Sequence, residues 1–86
     1  MREFKIGTVV RHFKWETDDE DNILKYLYII KDFAKHTETE EELVIYQSLY
    51  SGKVFARPVG MFVSEVDHEK YPNIKQLHRL EIVNCV

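Results

Sequence analysis

Cysteine, glycine and proline are scarce in this sequence. It contains one cysteine, three glycines and two prolines among its 86 residues. The lone thiol, Cys85, rules out an internal disulfide and fits a reducing compartment. The scattered glycines form no loop that could cradle a phosphate, and no serine stands in a GxSxG elbow. These absences argue against an enzyme, and we expect no catalytic residue.

A long apolar run and an excess of basic residues are missing as well. No apolar stretch approaches about 18 residues, and the first residues lead into no signal-type apolar core. Twelve basic against 15 acidic residues give a net charge of −3, which argues weakly against general binding to a nucleic-acid backbone. We expect a soluble cytoplasmic protein without a membrane segment.

The histidines show no pattern typical of a metal site. The four of them, His12, His36, His68 and His78, lie far apart in the sequence. None belongs to an HxH or HxxxH pair, and no CxxC-like pair accompanies them. The sequence therefore predicts no metal and no cofactor.

Five of the seven residues from 16 to 22 are acidic, which invites comparison with a calcium-binding loop. An EF-hand loop needs glycine at its sixth position and glutamate at its twelfth. Counted from Asp18, those positions hold Ile23 and Ile29, so both the sharp turn and the bidentate ligand are missing. We expect this stretch to be a solvated loop.

What the chain does contain is material for one compact core. Hydrophobic residues make up 44% of the sequence and aromatic residues 13%, which argues against disorder. A chain of this length has no room for a second core. We interpret residues 1–86 as a single domain.

The strongest strand signal lies in the middle of the chain. Two segments, Tyr26–Phe33 and Leu43–Tyr50, are rich in β-branched and aromatic residues, which favour a pleated, half-buried surface. Simple alternation along the first segment places Ile30 and Phe33 on opposite faces. A helix over the second segment is the alternative, because eight apolar-rich residues fit either period.

Polar turns separate these two segments from each other and from the last third of the chain. Residues 36–42 hold four glutamates and no apolar side chain, which predicts an exposed hairpin turn. Residues 50–53 form a second predicted turn, in which Gly52 is free to take a positive φ. The order of strands and turns predicts an antiparallel meander.

Three shorter strands complete the predicted sheet. They are expected within residues 8–13, 54–57 and 78–83. Pro58 ends the second of them because proline cannot donate to a ladder, and a short helical turn is expected near Pro58–Phe62. In the last strand, Leu80 and Ile82 are expected to face the core. The sequence thus predicts a mainly β domain of about five antiparallel strands.

Several short segments occur together in a recognisable order. They are Arg11–Lys14 (RHFK), Ala34–Thr39 (AKHTET), Leu43–Gln47 (LVIYQ), Leu49–Tyr50, Arg57–Pro58 and Met61–Phe62. With them the chain resembles the small bacterial proteins of domain-of-unknown-function family 1653, over about residues 7 to 82. The resemblance implies a compact SH3-like β-barrel and brings no established activity.

The resemblance also marks Glu40 as a departure. Proteins of this kind usually carry glycine after the His-Thr-Glu-Thr element, where this chain has glutamate. If the hairpin tip is left-handed at this position, glutamate bears a cost of roughly 1 kcal/mol.

Our leading hypothesis is a non-catalytic module that binds a protein or peptide partner, as a monomer or a homodimer. Small barrels bind extended or proline-rich segments on shallow aromatic faces. The residues expected to form such a surface are His12, Trp15, Tyr46, Tyr50 and Arg57. The structural alternative is that Tyr46 and Arg57 merely close the barrel through a hydrogen bond and a cation–π contact.

Two other functions are considered. A nucleic-acid-associated accessory domain would need five cations on one face, namely Arg11, Lys14, Lys35, Lys53 and Arg57. A small-molecule or enzymatic site would need His12, His36 and Arg57 to converge in a concave pocket. The positions of these side chains in the structure test both alternatives.

Overall fold

Five antiparallel strands form one sheet in the computed structural model, which describes residues 4–17 and 23–83. They are β1 (Val9–His12), β2 (Leu27–Lys35), β3 (Glu42–Ser48), β4 (Val54–Pro58) and β5 (Leu80–Ile82). Their order across the sheet is β4-β3-β2-β1-β5. The prediction of a mainly β chain with five antiparallel strands is confirmed. Cys85 and most of the predicted acidic loop, residues 18–22, lie outside the described residues.

The sheet is open, so the predicted closure into a barrel is wrong. Within the described ranges, β4 pairs with β3 and β5 pairs with β1, but no ladder joins β4 to β5. Both edge strands are short, and β5 has only three residues, all of which pair with β1. The core face of the sheet is instead covered by a short helix, α1 (Val59–Phe62), and by Phe4.

A bulge in β2 corrects the predicted arrangement of its faces. The register with β3 shifts between Ile30 and Asp32, so that Ile30 lies opposite Tyr46 and Phe33 lies opposite Val44. One extra residue in a strand reverses the alternation beyond it. As a result Phe33 packs against the same core cluster as Ile30, although simple alternation places them on opposite faces.

The segment after the hairpin turn is a strand, and the alternative helix over β3 is excluded. The strand ends at Ser48, whose buried hydroxyl accepts hydrogen bonds from the backbone N–H groups of Tyr50 (3.1 Å) and Ser51 (3.0 Å). Tyr50 therefore lies in the turn and not in the strand. Gly52 takes φ 76°, as its place in the predicted turn allows.

Helix α1 confirms the predicted helical turn. It begins directly after Pro58, whose φ of −55° suits the entry to a helix, and it buries Phe62 completely. The Phe62 ring contacts Phe4 and Tyr46, with centroids 5.3 Å and 5.2 Å apart. The main core cluster lies under this helix and consists of Val10, Ile30, Val44, Tyr46, Phe62 and Leu80.

A second, smaller cluster forms at the other end of β1. A 3₁₀ helix, Phe13–Thr17, follows β1 directly, and another, Ile23–Tyr26, precedes β2. Phe13 is buried with Val66 and Ile74. Leu80 reaches the main core as predicted. Ile82 lies opposite the buried Val10, on the face that carries Leu80, but it is 43% exposed at the edge of the sheet.

Candidate functional site

His12 is held in one orientation at the end of β1. Its Nδ1 accepts a hydrogen bond from the backbone N–H of Lys14 (3.2 Å). Its ring stacks on Phe13, with centroids 4.6 Å apart and planes 27° apart. Because Nδ1 is an acceptor, the proton of the neutral ring must lie on Nε2.

Burial and three positive charges act on this histidine. Together, burial first and then the charges of Arg57, Lys14 and Arg79 lower the pKa of His12 from 6.5 to about 4. We call these four residues the cationic cluster. Within residues 4–17 and 23–83, neither arginine nor Lys14 forms an ion pair with a carboxylate. With a pKa of about 4 the imidazole is neutral at pH 7, and the three cations that act on it have no carboxylate partner among the described residues.

Arg57 and His12 share one face of the sheet. Arg57 lies opposite the buried Val44 and His12 lies opposite the buried Leu80, so both side chains project from the core face. Strands β2 and β3 lie between them, and the charge of Arg57 nevertheless contributes to the lowered pKa of His12.

Arg79 reaches the cluster through the neighbouring edge of the sheet. Its carbonyl oxygen accepts a hydrogen bond from the backbone N–H of Phe13 (3.0 Å), and its own N–H donates to Ser64 (2.9 Å). The residue after it, Leu80, lies opposite His12 in the β1–β5 ladder. Arg79 is thus fixed beside the end of β1.

Three rings continue the site across the core face of β2, β3 and β4. Tyr46 lies 5.4 Å from Tyr28 and 5.7 Å from Phe55, measured between ring centroids. Tyr46 is only 6% exposed, whereas Phe55 is 42% exposed, so the group opens to solvent at β4. Burial raises the pKa of Tyr46, and the charge of Arg57 opposes that shift. Arg57 therefore joins these rings, which we call the aromatic group, to the cationic cluster.

Trp15 lies on the other side of the sheet. The guanidinium of Arg11 stacks over its ring at 4.1 Å, and Arg11 points away from the face that carries His12 because the two are consecutive in β1. The indole N–H donates to Gln76 (3.0 Å). Trp15 is therefore a structural contact between the first 3₁₀ helix and a distant loop.

Tyr50 is also separate from the other residues expected to form the surface. It is 57% exposed in the turn before β4, while Arg57 lies near the end of that strand. The structure thus brings together His12, Tyr46 and Arg57 of the predicted surface, but not Trp15 or Tyr50. Of the three it unites, Tyr46 is buried.

His36 does not join His12 and Arg57. It follows β2, at the opposite end of that strand from the level of His12. Its Nδ1 accepts hydrogen bonds from the backbone N–H groups of Glu38 (3.0 Å) and Thr39 (3.2 Å). The pocket proposed for His12, His36 and Arg57 is therefore not formed by these three residues.

Three members of the site were missed by sequence reasoning, namely Tyr28, Phe55 and Arg79. Phe55 lies directly opposite Tyr46, and the hairpin register between β3 and β4 was the signal that could have found it. Arg79 carries no such local signal, because it reaches His12 only through the β1–β5 pairing.

Two further observations concern metal binding and membrane insertion in the described part of the chain. No three histidine, cysteine, aspartate or glutamate side chains in it lie close enough together to hold a metal ion. None of its helices has the length and apolar character needed to cross a membrane.

Comparison with known proteins supports one relationship. A family model described as "Protein of unknown function (DUF1653)" matches residues 8–81, nearly the whole chain. No curated protein and no solved structure matches this chain. The resemblance drawn from short sequence segments is thereby confirmed.

Proposed function

We propose that this chain, which belongs to the DUF1653 family of proteins of unknown function, is a non-catalytic, SH3-like module that binds an extended segment of a protein partner. The proposed binding surface consists of the edge strand β4 and the aromatic group beside it. An extended segment would add to the outer edge of β4 through main-chain hydrogen bonds.

The observation that carries this proposal is the exposed ring of Phe55 on an edge strand. β4 has an unpaired outer edge in the described chain, and such an edge is a template for another strand. Phe55 lies on this strand and packs against Tyr46 and Tyr28, which hold its ring in place. A rigid, partly exposed aromatic side chain is a favourable anchor for a partner.

Selection from a displayed library of random peptides tests the proposal. Peptides that bind the wild-type chain are synthesised and titrated against Phe55→Ala and, as a matched control, Leu77→Ala. Leu77 is 51% exposed but lies in the loop before β5, away from the proposed surface. We expect Phe55→Ala to weaken binding by about tenfold or more, as loss of an aromatic anchor does, and Leu77→Ala to leave it unchanged.

Changes in the backbone amide NMR shifts on addition of peptide locate the contact. The largest changes should fall on the amides of β4. Failure to select any peptide, or binding that Phe55→Ala does not weaken, would contradict the proposal. So would a homodimer that Phe55→Ala dissociates, because a second copy would then occupy the edge.

A nucleic-acid-associated role is the second candidate, favoured by the cations of the cationic cluster, which form no ion pair with a carboxylate within residues 4–17 and 23–83. Of the five cations that this role requires on one face, Lys14 and Arg57 act on His12, while Arg11 stacks on Trp15 on the opposite face. An electrophoretic shift assay at two salt concentrations separates this role from peptide binding, because backbone contacts with nucleic acid weaken steeply with salt.

A further inference from the structure

The hydrogen bonds of the β3–β4 hairpin fix which backbone groups of β4 face β3. At the turn, the N–H of Ser48 donates to the carbonyl of Lys53 (2.9 Å), and the N–H of Gly52 donates to the carbonyl of Ser48 (3.0 Å). Bonded and non-bonded residue pairs alternate along an antiparallel ladder. Counted from Lys53, the residues of β4 that bond to β3 are therefore Phe55 and Arg57.

The residues between them present their backbone groups to the outer edge. Val54 and Ala56 point away from β3, and in the described part of the chain no other segment bonds to them. Pro58 falls on the same outward alternation, so its missing N–H costs no bond to β3. The free edge thus offers the N–H and carbonyl groups of two residues to an added strand.

The side chains on one face of this edge alternate between cations and a ring. Lys53, Phe55 and Arg57 are spaced two residues apart, so they lie on the core face of β4. Lys53 and Phe55 are exposed and Arg57 is partly buried. Neither cation forms an ion pair among the described residues. An added strand would therefore meet an aromatic ring with a positive charge on each side.

A second copy of the chain fits this edge poorly. Antiparallel pairing of two β4 strands through Val54 and Ala56 of both copies places Phe55 opposite Phe55, and Lys53 of each copy opposite Arg57 of the other. Parallel pairing in register places each cation opposite its own counterpart. Like charges directly opposite each other destabilise a sheet, and charged edges act against self-pairing. The edge therefore favours a strand of different composition.

We propose that the segment bound along β4 carries an apolar residue with an acidic residue two positions away on each side. The apolar side chain would lie opposite Phe55, where the strands of an antiparallel pair approach most closely. The acidic side chains would lie opposite Lys53 and Arg57. The inference rests on the proposed function, because it names the chemistry of the segment that β4 binds.

The peptides selected on the wild-type chain are the probe. They should share the pattern acid-x-apolar-x-acid, and replacing both acids by their amides should weaken binding by about fivefold, as loss of two cross-strand charge pairs does. A peptide of the same composition, with each acid moved one position towards the centre, is the matched control. It should bind as weakly as the amide peptide, because its carboxylates leave the face that carries Phe55.

A charge exchange excludes a merely structural role for the two cations. The double variant Lys53→Glu with Arg57→Glu should bind the selected peptide poorly, and should recover binding to a peptide with lysine at both acidic positions. Changing both residues keeps like charges opposite in a self-pair, so this variant should stay monomeric. The control variant Lys75→Gln, which alters an exposed cation in the loop before β5, should bind like wild type.

Amide hydrogen exchange followed by NMR gives an independent readout of the register. In the free chain the amides of Phe55 and Arg57 should exchange slowly and those of Val54 and Ala56 rapidly, and bound peptide should protect the latter pair. Slow exchange of Val54 and Ala56 in the free chain would overturn the proposal, because the edge would then already be paired.

The two proposals fail in distinguishable ways. Selected peptides without the acidic pattern, or equal binding of the two peptides that differ only in acid spacing, would overturn this inference and leave peptide binding at β4 intact. Failure to select any peptide, or binding of an oligonucleotide alone, would overturn both.

Discussion

Two turns in this molecule use the same local device and have opposite surroundings. At the end of β1 and at the end of β2, a histidine Nδ1 accepts a hydrogen bond from the backbone N–H two residues further on. Around His12 the nearest charges are cations, supplied partly by distant segments. Around His36 the chain is rich in glutamate, and its contacts are local.

The comparison shows that the same local hydrogen bond can occur in turns that are held in different ways. The His36 turn closes a hairpin and is made from residues adjacent in sequence. The His12 turn is held by a remote loop, through the Trp15 N–H bond to Gln76 and through Glu16, whose carboxylate accepts the backbone N–H of Gln76 (2.8 Å). The surroundings of His12 therefore depend on segments that are far apart in sequence.

Substitution of Gln76 should have the largest effect on stability, because its hydrogen bonds join the remote loop to the His12 turn. Its side-chain amide donates to the carbonyls of Arg11 (3.0 Å) and His78 (2.9 Å). Gln76→Ala removes these hydrogen bonds between partly buried groups of separate segments, so it should lower the free energy of unfolding by about 2–3 kcal/mol. Gln76→Glu should lose nearly as much, since a carboxylate cannot donate. Urea denaturation measures both, and a loss below about 0.5 kcal/mol would show that the turn stands without the loop.

The pH dependence of stability should show the next largest effect, and it tests the surroundings of His12. The folded pKa of His12, about 4, lies below its ordinary value of 6.5, so the unfolded chain takes up this proton first. Stability is therefore highest above pH 6.5 and falls as the pH drops towards 4, by roughly 2 kcal/mol after allowance for partial exposure.

The variant His12→Asn isolates this contribution. Its side-chain oxygen can still accept the Lys14 N–H bond but does not titrate. The difference in unfolding free energy between wild type and variant should change between pH 7 and pH 4. A difference that stays constant across this range would show that His12 is not buried among cations.

The His36 turn should respond only to the loss of its acceptor. His36→Ala leaves the N–H groups of Glu38 and Thr39 without their partner and should cost about 1 kcal/mol. His36→Asn should stay close to wild type, because its side-chain oxygen occupies nearly the same position as Nδ1. Thermal unfolding of both variants tests this, and equal losses would assign His36 a role beyond the turn.

Substitution of Glu40 should have the smallest effect on stability, and this effect should be stabilising. Its φ of 61° is left-handed, as its departure from glycine in the family pattern suggested. Glu40→Gly should raise the free energy of unfolding by about 0.5–1 kcal/mol, because glycine takes this conformation without strain. Glu40→Ala removes the charge and keeps the strain, so an equal gain from it would point to repulsion among the glutamates instead.

Much of the fold was predictable, and the site was predictable only in part. The strands, the two hairpin turns and the helical turn after Pro58 depend on residues close in sequence. His12 and Arg57 were identified from the types of residue they are, whereas Trp15 and Tyr50, which were grouped with them, lie elsewhere on the molecule. Sequence neighbours such as Arg11 and His12 point to opposite faces of a strand, and no residue type reveals which remote ring or charge each will meet.

By itself, the sequence determined where the backbone extends and where it turns. Those choices depend on local sterics, such as β-branched side chains along β3 and the positive φ of Gly52. Only the tertiary structure decided that the sheet stays open, that a bulge returns Phe33 to the core, and that the charges of Arg57 and Arg79 act on His12. Register and curvature settle these points, and they depend on how strands far apart in the chain pack together.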